Sequence, residues 1–328
     1  LTVAGQLYVE SDAYMGDEFF SKWDFFHAQD PTSGTVEYMD YESTVAAGLI
    51  NATAQGVFMG ADTQNVTRGG RRSVRIMSKA VYNSGLFVVT LGHIPTGCGT
   101  WPAFWMFGED ANHGWPKWGE FDIIEGVHRS SRVTTTLHTD AGCDQSRVVE
   151  GRDFSTRWKL GQGSNLADNC DINAPGQWIN QGCAQSGPNA SMGEEFNARG
   201  GGSFAAEWDP VAGHIRTWFW PAGSEPPDLA MRSPEPGSWG RPYSLFRLSP
   251  GECSSRHFRN MRLVFDLTFC GELGNPMFGV SCPELASRMS CQDFVRGHPQ
   301  AMGEAYWLIT ALDVYQVVSR RSQGRGVG

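Results

Sequence analysis

Residues 101–126 read WPAFWMFGEDANHGWPKWGEFDIIEG, and their last part places Glu120, Asp122 and Glu125 close together in the chain. On a helix, which turns about 100° per residue, Asp122 would point about 200° and Glu125 about 140° away from Glu120. The three carboxylates would scatter around such a helix. On a strand Glu120 and Asp122 share one face, while Glu125, an odd number of positions from both, falls on the other. One bulged residue, at Ile123 or Ile124, returns Glu125 to the face of the first two. Phe121 and one of the isoleucines then point inward. The segment is expected to be a bulged strand.

Similar character recurs along the chain. Short segments of alternating or continuous apolar residues lie between turn signals at 73–78, 86–92, 102–107, 133–138, 203–208, 214–220, 261–269 and 305–318. Their Val, Ile, Thr, Phe and Trp content and their Gly or Pro boundaries argue for strands. No helix longer than two turns stands out, the best being 291–296, which Ser290 can cap. Two stretches, 139–202 and 221–259, are rich in Gly, Pro, Asn and Ser and read as long ordered loops. Loops of that length inside a domain are either pinned by disulfides or build a functional rim. With no repeat or linker, residues 1–328 are expected to form one all-β domain, two antiparallel sheets packed face to face.

Composition bounds the function. Against 35 Asp and Glu the 328 residues carry 26 Lys and Arg, a formal charge of −9 that repels phosphate backbones and anionic lipid. Neither a nucleic acid nor a membrane is an expected partner. Charged residues make up 19% and aromatics 12%, which excludes a disordered chain. No apolar run approaches the roughly 18 residues of a membrane helix, so a soluble chain is expected. Leu1 opens on no basic and apolar leader, so export implies a signal already removed.

The eight cysteines include no C-x-x-C pair and no zinc spacing, and their even number reads as a disulfide framework. Sequons at Asn51, Asn65 and Asn189 are the candidate glycosylation sites and fit the same oxidising route. Secretion, to the medium or the cell wall, is the expected localisation. Eight cysteines allow 105 pairings; the local pairs Cys170–Cys183 and Cys282–Cys291 are the expected ones. Arg320, Arg321 and Arg325 read as a frayed C-terminus.

Three acids on one strand face repel one another, and Lys117 is the single basic residue in the 101–126 segment. The pattern suits retaining glycoside hydrolysis, in which two carboxyls serve as nucleophile and as acid/base. Asp122, between them, can orient the nucleophile and keep a neighbouring glutamate protonated by like-charge repulsion. A solvated acidic edge strand is the plain alternative. The aromatic context decides against it: Trp101, Phe104, Trp105, Phe107 and Trp115 precede the acids and Trp118 adjoins them, offering rings on which sugar faces stack. Alternation puts Phe104 opposite to Trp105 and Phe107 but leaves open which side faces outward.

At this point the chain resembles glycoside hydrolase family 16. GEFDIIEG preceded by GCGTWPAFWM is similar to the family's catalytic signature in the bulged form used by laminarinases. The likeness continues through FFSKWDFF, DPTSGTVEY, RRSVRIMSK, GLFVV, TTTLHT, NCDINAPGQWINQGC, GGGSFAAEWD, IRTWFWPAGS, NMRLVFDLTFC, CQDFV and EAYW, and is greatest to secreted fungal endo-β-1,3(4)-glucanases. It implies a curved β-jelly-roll sandwich with an open cleft on its concave face. It makes Glu120 the nucleophile, Asp122 its helper and Glu125 the acid/base, with His138 near the cleaved bond and Trp105 and Trp115 as stacking positions. Departures from the pattern are Lys117 and Trp118 before the first acid, His128 where asparagine is common, and Leu273 where a substrate-stacking tryptophan is common; Trp118 can supply a replacement platform. A structural calcium on the convex face is known in the family, but no acidic cluster here compels one, and no metal or cofactor is expected.

The resulting expectation is a monomeric endo-acting retaining β-glucanase whose partner is a β-glucan, cutting β-1,3 bonds and adjacent mixed linkages. Transglycosylation through the same covalent intermediate is the second reading. A non-catalytic glucan-binding protein is the third, disfavoured because both glutamates are present.

Overall fold

Alternation along Thr100–Gly108 decides the layers: Phe104 and Met106 are fully buried on one side, while Trp105 and Phe107 share the other. In this computed structural model, which describes residues 6–318, that strand lies at the centre of a seven-stranded antiparallel sheet. From edge to edge the sheet runs Cys183–Ser186, Thr134–His138, Glu120–Glu125, Thr100–Gly108, Met261–Phe269, Arg75–Ser78 and Trp23–Phe25. The second sheet runs Ser244–Arg247, His214–Pro221, Gly202–Asp209, Gly85–His93, Tyr306–Val318, Gly56–Gly60 and Ile50–Thr53, with Leu7–Ala13 also paired to Tyr306–Val318.

The core fills the space between the sheets. Phe104, Met106, Phe121, Leu263 and Phe265 from the first meet Phe87, Val89, Leu91, Phe204 and Trp208 from the second. Phe104 and Phe265, register partners on neighbouring strands, stack at 4.3 Å between ring centroids. Each such side chain taken fully out of water contributes roughly 1.5–3 kcal/mol, so the inner faces fix the register and thereby what the outer faces present. The expected strands form within two residues of the expected ends, the 73–78 segment as Arg75–Ser78 with Ser73 closing the separate strand Arg71–Ser73. Leu7–Ala13 and the shorter Trp23–Phe25, Ile50–Thr53 and Gly56–Gly60 escape sequence reading because they show no clean period.

Two expectations are corrected outside the sheets. Gly271–Ser281 is a helix of 11 residues, longer than the two turns anticipated anywhere. Its Gly, Asn and Pro276 are weak helix formers or breakers, and burial of Phe278 against Phe294 in a satellite core outweighs them. Cys282 and Cys291 do not pair: Cys282 joins Cys98 and Cys291 joins Cys270. The helix Pro283–Ala286 occupies the short span between them, and each cysteine bonds back to a sandwich strand's flank instead. Cys170–Cys183 forms as expected, and Cys143–Cys253 staples the two long loops together. Those loops also hold the strands Cys183–Ser186 and Ser244–Arg247 and the short helix Gly193–Ala198. The helix Cys291–Gly297 begins as anticipated, with Ser290 Oγ accepting from Asp293 N–H at 3.1 Å. Among the described residues no helix is long and apolar enough to cross a membrane. Arg320, Arg321 and Arg325 lie outside the described residues.

Candidate active site

The bulge is present. Asp122 pairs with Trp105 and Ile124 with Phe104, so Ile123 is the extra residue against that strand; on the other side Asp122 pairs with Thr136 and Glu125 with Thr134. Two residues thus oppose one, and Glu120, Asp122 and Glu125 emerge on the same face as Trp105 and Phe107. Both isoleucines, not one, are fully buried. The bulge tilts the strand so that Ile123 and Ile124 fill the core together, while the acids stay outside it.

Each glutamate is held by an indole. Trp115 Nε1–H donates to Glu120 Oε2 at 2.7 Å, and Trp101 Nε1–H donates to Glu125 Oε1 at 2.9 Å. Asp122 is 4% exposed, and His138 Nε2 lies 3.1 Å from its Oδ2 and 3.7 Å from Glu120 Oε1. The nearer contact is not aligned as a hydrogen bond, which leaves Asp122 Oδ2 buried without a partner; the other ring nitrogen, His138 Nδ1, is buried without one as well. Burial, then repulsion from Asp122, pushes the Glu120 carboxyl up to about 8; burial, then Glu125 and Asp266, pushes Asp122 well above the ordinary range. Glu120 and Asp122 therefore hold protons that exposed carboxyls would lose. Glu120, Asp122 and His138 are also the one His, Cys, Asp and Glu set among the described residues spaced for a metal ion.

Sequence reading placed neither Arg75 nor Asp266 at the site, and named Trp101 only as one of several rings without its hold on Glu125. Trp101 shares strand parity with Trp105, a signal that could have placed it on the site face. Arg75, across Met261–Phe269 from Trp105, is 6% exposed, with its guanidinium 5.0 Å from the Trp105 ring and its Nε unpartnered. Asp266 pairs with both Ala103 and Arg75; burial raises its carboxyl to about 7 although Arg75 opposes the shift. Trp105 Nε1 is likewise buried and unpartnered, a donor left on this face beside the acids.

The departures fall in different places. Trp118 packs its ring on His113 at 4.2 Å and on Arg259 at 5.5 Å, and its Nε1 donates to Asp110. That makes it a brace of the rim, with both ring contacts internal. Lys117 bonds Asp140, which also meets His257. Leu273 is 37% exposed on the helix whose first residue, Gly271, lies against the Trp101 ring. His128 is buried, outside the cleft, with φ 54°. That left-handed backbone is one asparagine and histidine tolerate better than most residues. Its Nδ1 accepts from Gly99 N–H at 2.9 Å and its Nε2–H donates to Gly274 O at 2.8 Å, and burial holds its pKa below the ordinary value. His128→Ala strands both partners and is expected to cost about 2–3 kcal/mol, read as a lower urea midpoint. Because the folded pKa is depressed, His128's contribution is present above the ordinary histidine pKa and lost as pH falls through the folded one; the native-minus-variant difference should narrow in acid.

Paired glutamates on one bulged strand, each positioned by an indole on an aromatic-lined sheet face, define a β-sandwich of the retaining-glycosidase class. Residues 23–315 match the family model described as "XgeA-like, catalytic GH16 domain". The chain belongs to glycoside hydrolase family 16. It is 38% identical over 307 residues to a probable glycosidase of Schizosaccharomyces pombe, covering 92% of this chain and 68% of that one. To an endo-1,3(4)-β-glucanase of Arthroderma benhamiae it is 39% identical over 316 residues, covering 94% and 65%. The chain thus spans about two thirds of those relatives' length, and 46% of an Aspergillus fumigatus relative. Among solved structures, laminarinase 16A from Phanerochaete chrysosporium, bound to 6-O-glucosyl-laminaritriose in donor and acceptor sites, superposes with a TM-score of 0.81 at 34% identity, covering 94% of this chain and 100% of that one.

Proposed function

We propose that this single domain is a retaining endo-β-glucanase acting on β-1,3-glucans and related mixed or branched chains, with Glu120 as nucleophile and Glu125 as acid/base. The observation that carries the reading is the bulge, which sets both glutamates on one face, each oriented by an indole N–H. Glu125 gives its proton to the glycosidic oxygen as Glu120, in its ionised carboxylate form, attacks the anomeric carbon. The aglycone leaves, and a glycosyl ester forms on Glu120. Water, deprotonated by Glu125, then attacks that carbon from the opposite side and releases sugar of retained configuration. Asp122, buried against Glu120 and His138, steadies the nucleophile and keeps a proton in the cluster. Trp105 and Trp115 stack glucose rings, and Trp118 supports the rim beside them.

Four disulfides with no free cysteine support secretion, since such bonds persist in oxidising compartments. Asn51, Asn65 and Asn189 are all exposed, as glycan acceptors must be. A second reading, glycosyl transfer to another sugar, is favoured by one observation. A solved structure described as an elongating family 16 β-1,3-glucosyltransferase matches with a TM-score of 0.81 at 34% identity.

The test is product analysis over time on laminarin, mixed-linkage β-glucan, and β-1,6-glucan or galactan. Short β-1,3-linked oligosaccharides of retained configuration are expected. Products longer than the substrate would favour transfer, and no cleavage of any β-1,3-containing glucan would overturn the glucanase reading.

A further inference from the structure

Of the twelve tryptophans, Trp115 and Trp178 are the exposed ones, at 41% and 61%. Trp115 already has a place in the site, and Trp178 has none. The 178–181 turn that carries it is firmly braced. Cys170–Cys183 closes the loop around it, and the buried Gln177 bonds Asn169 through both ends of its amide and also donates to Gly182 O. Trp178 N–H donates to Gln181 Oε1, whose Nε2 donates to Leu160 O. The indole itself takes part in no hydrogen bond or ring pair among the described residues. A flexible loop could fold such a ring against its own backbone, but a turn held at both flanks keeps it in water, where it loses the burial a ring of this size normally gains.

The turn is also continuous with the site. Gly182 lies so close to His138 that a Cβ there would sit 2.8 Å from Nδ1, which only glycine at φ 63° permits. From Trp178, the rim passes through Asn180 N–H to Ile172 O and Ile172 N–H to Thr139 O. Its next residue, Asp140, bonds Lys117 of the loop that presents Trp115. One connected rim therefore carries both exposed tryptophans.

We propose that Trp178 is a remote stacking platform of the same cleft, engaging a glucose unit of a β-glucan chain beyond those that touch the acids. The proposal rests on the glucanase reading and adds a chain-length preference to it. A β-glucan is the occupant that fits, because the ring is apolar, exposed and joined by a hydrogen-bonded rim to the loop that presents Trp115.

The experiment compares kcat/KM for laminariheptaose with that for the shortest oligosaccharide cleaved, in native protein, Trp178→Ala and Trp178→Phe. The long-to-short ratio is expected to fall about fivefold in the alanine variant, as one lost ring contact predicts, and to recover in the phenylalanine variant. Calorimetric binding of laminariheptaose to Glu120→Gln, with and without Trp178→Ala, gives the same comparison without turnover. Equal ratios and equal affinities, or a shift in oligomer size with no change in ratio, overturn the platform while leaving the glucanase reading intact. Native protein that neither binds nor cuts any β-1,3-glucan overturns both.

Discussion

Glu120→Gln is expected to lose more than about 10⁴-fold in kcat on laminarin, because the amide cannot form the glycosyl ester on which both steps depend. The same substitution should stabilise the fold. Glu120 is buried beside Asp122, and its carboxyl is pushed from an ordinary 4.5 to about 8. A group whose folded pKa is raised contributes stability that is fully present below its unfolded pKa and is lost as pH rises through the folded one. Across pH 4.5 to 8 the native protein therefore loses stability that glutamine, which does not titrate, keeps. The variant should match the native melting temperature near pH 4 and exceed it at pH 8, by roughly 2 kcal/mol or a few degrees. Equal melting curves at both pH values would mean that Glu120 is not held against its own charge. Full activity in the variant would remove it from the chemistry altogether.

Glu125→Ala is expected to lose about 10²–10⁴-fold on glucans and to recover with azide on an aryl glycoside whose leaving group needs no protonation. Azide then attacks the glycosyl-enzyme on Glu120 and yields the β-glycosyl azide, of retained configuration. In Glu120→Ala, azide takes the place of the missing nucleophile and yields the inverted α-azide. The two anomers, read by proton NMR, assign the two roles separately. If Glu125→Ala gave the α-azide, the assignments would have to be exchanged. Trp101, which holds Glu125 through its Nε1–H, acts through that carboxyl and is a positioning residue.

Much of this architecture is legible in residues 101–126. The period-two pattern of Phe104 and Met106 against Trp105 and Phe107, and the odd spacing from Asp122 to Glu125, require a strand with one inserted residue if the acids are to act together. That inference needs only the geometry of the pleat, and the observed register places the insertion at Ile123. Burial of both isoleucines lay beyond such reading, because the tilt at a bulge depends on what the facing sheet leaves room for. The aromatic rings were ambiguous for a similar reason: alternation names two faces but only the second sheet says which is inside.

Partnerships between distant residues were decided by the tertiary structure alone. Cys98 meets Cys282 across 184 residues and Cys270 meets Cys291 across 21, whereas a purely local rule joins Cys282 to Cys291. The Gly- and Pro-bearing helix Gly271–Ser281 forms because Phe278 finds a core supplied by other elements. His128, which departs from the family pattern where asparagine is common, is a buried bracket between Gly99 and Gly274. The strand periods, the bulge and the three acids are legible in the residues alone, since these follow from local backbone geometry and side-chain chemistry. Which indole holds which glutamate, how burial raises the proton affinity of Glu120 and Asp122, and where Trp178 stands follow from the tertiary structure alone, because each depends on side chains brought together from separate strands and loops.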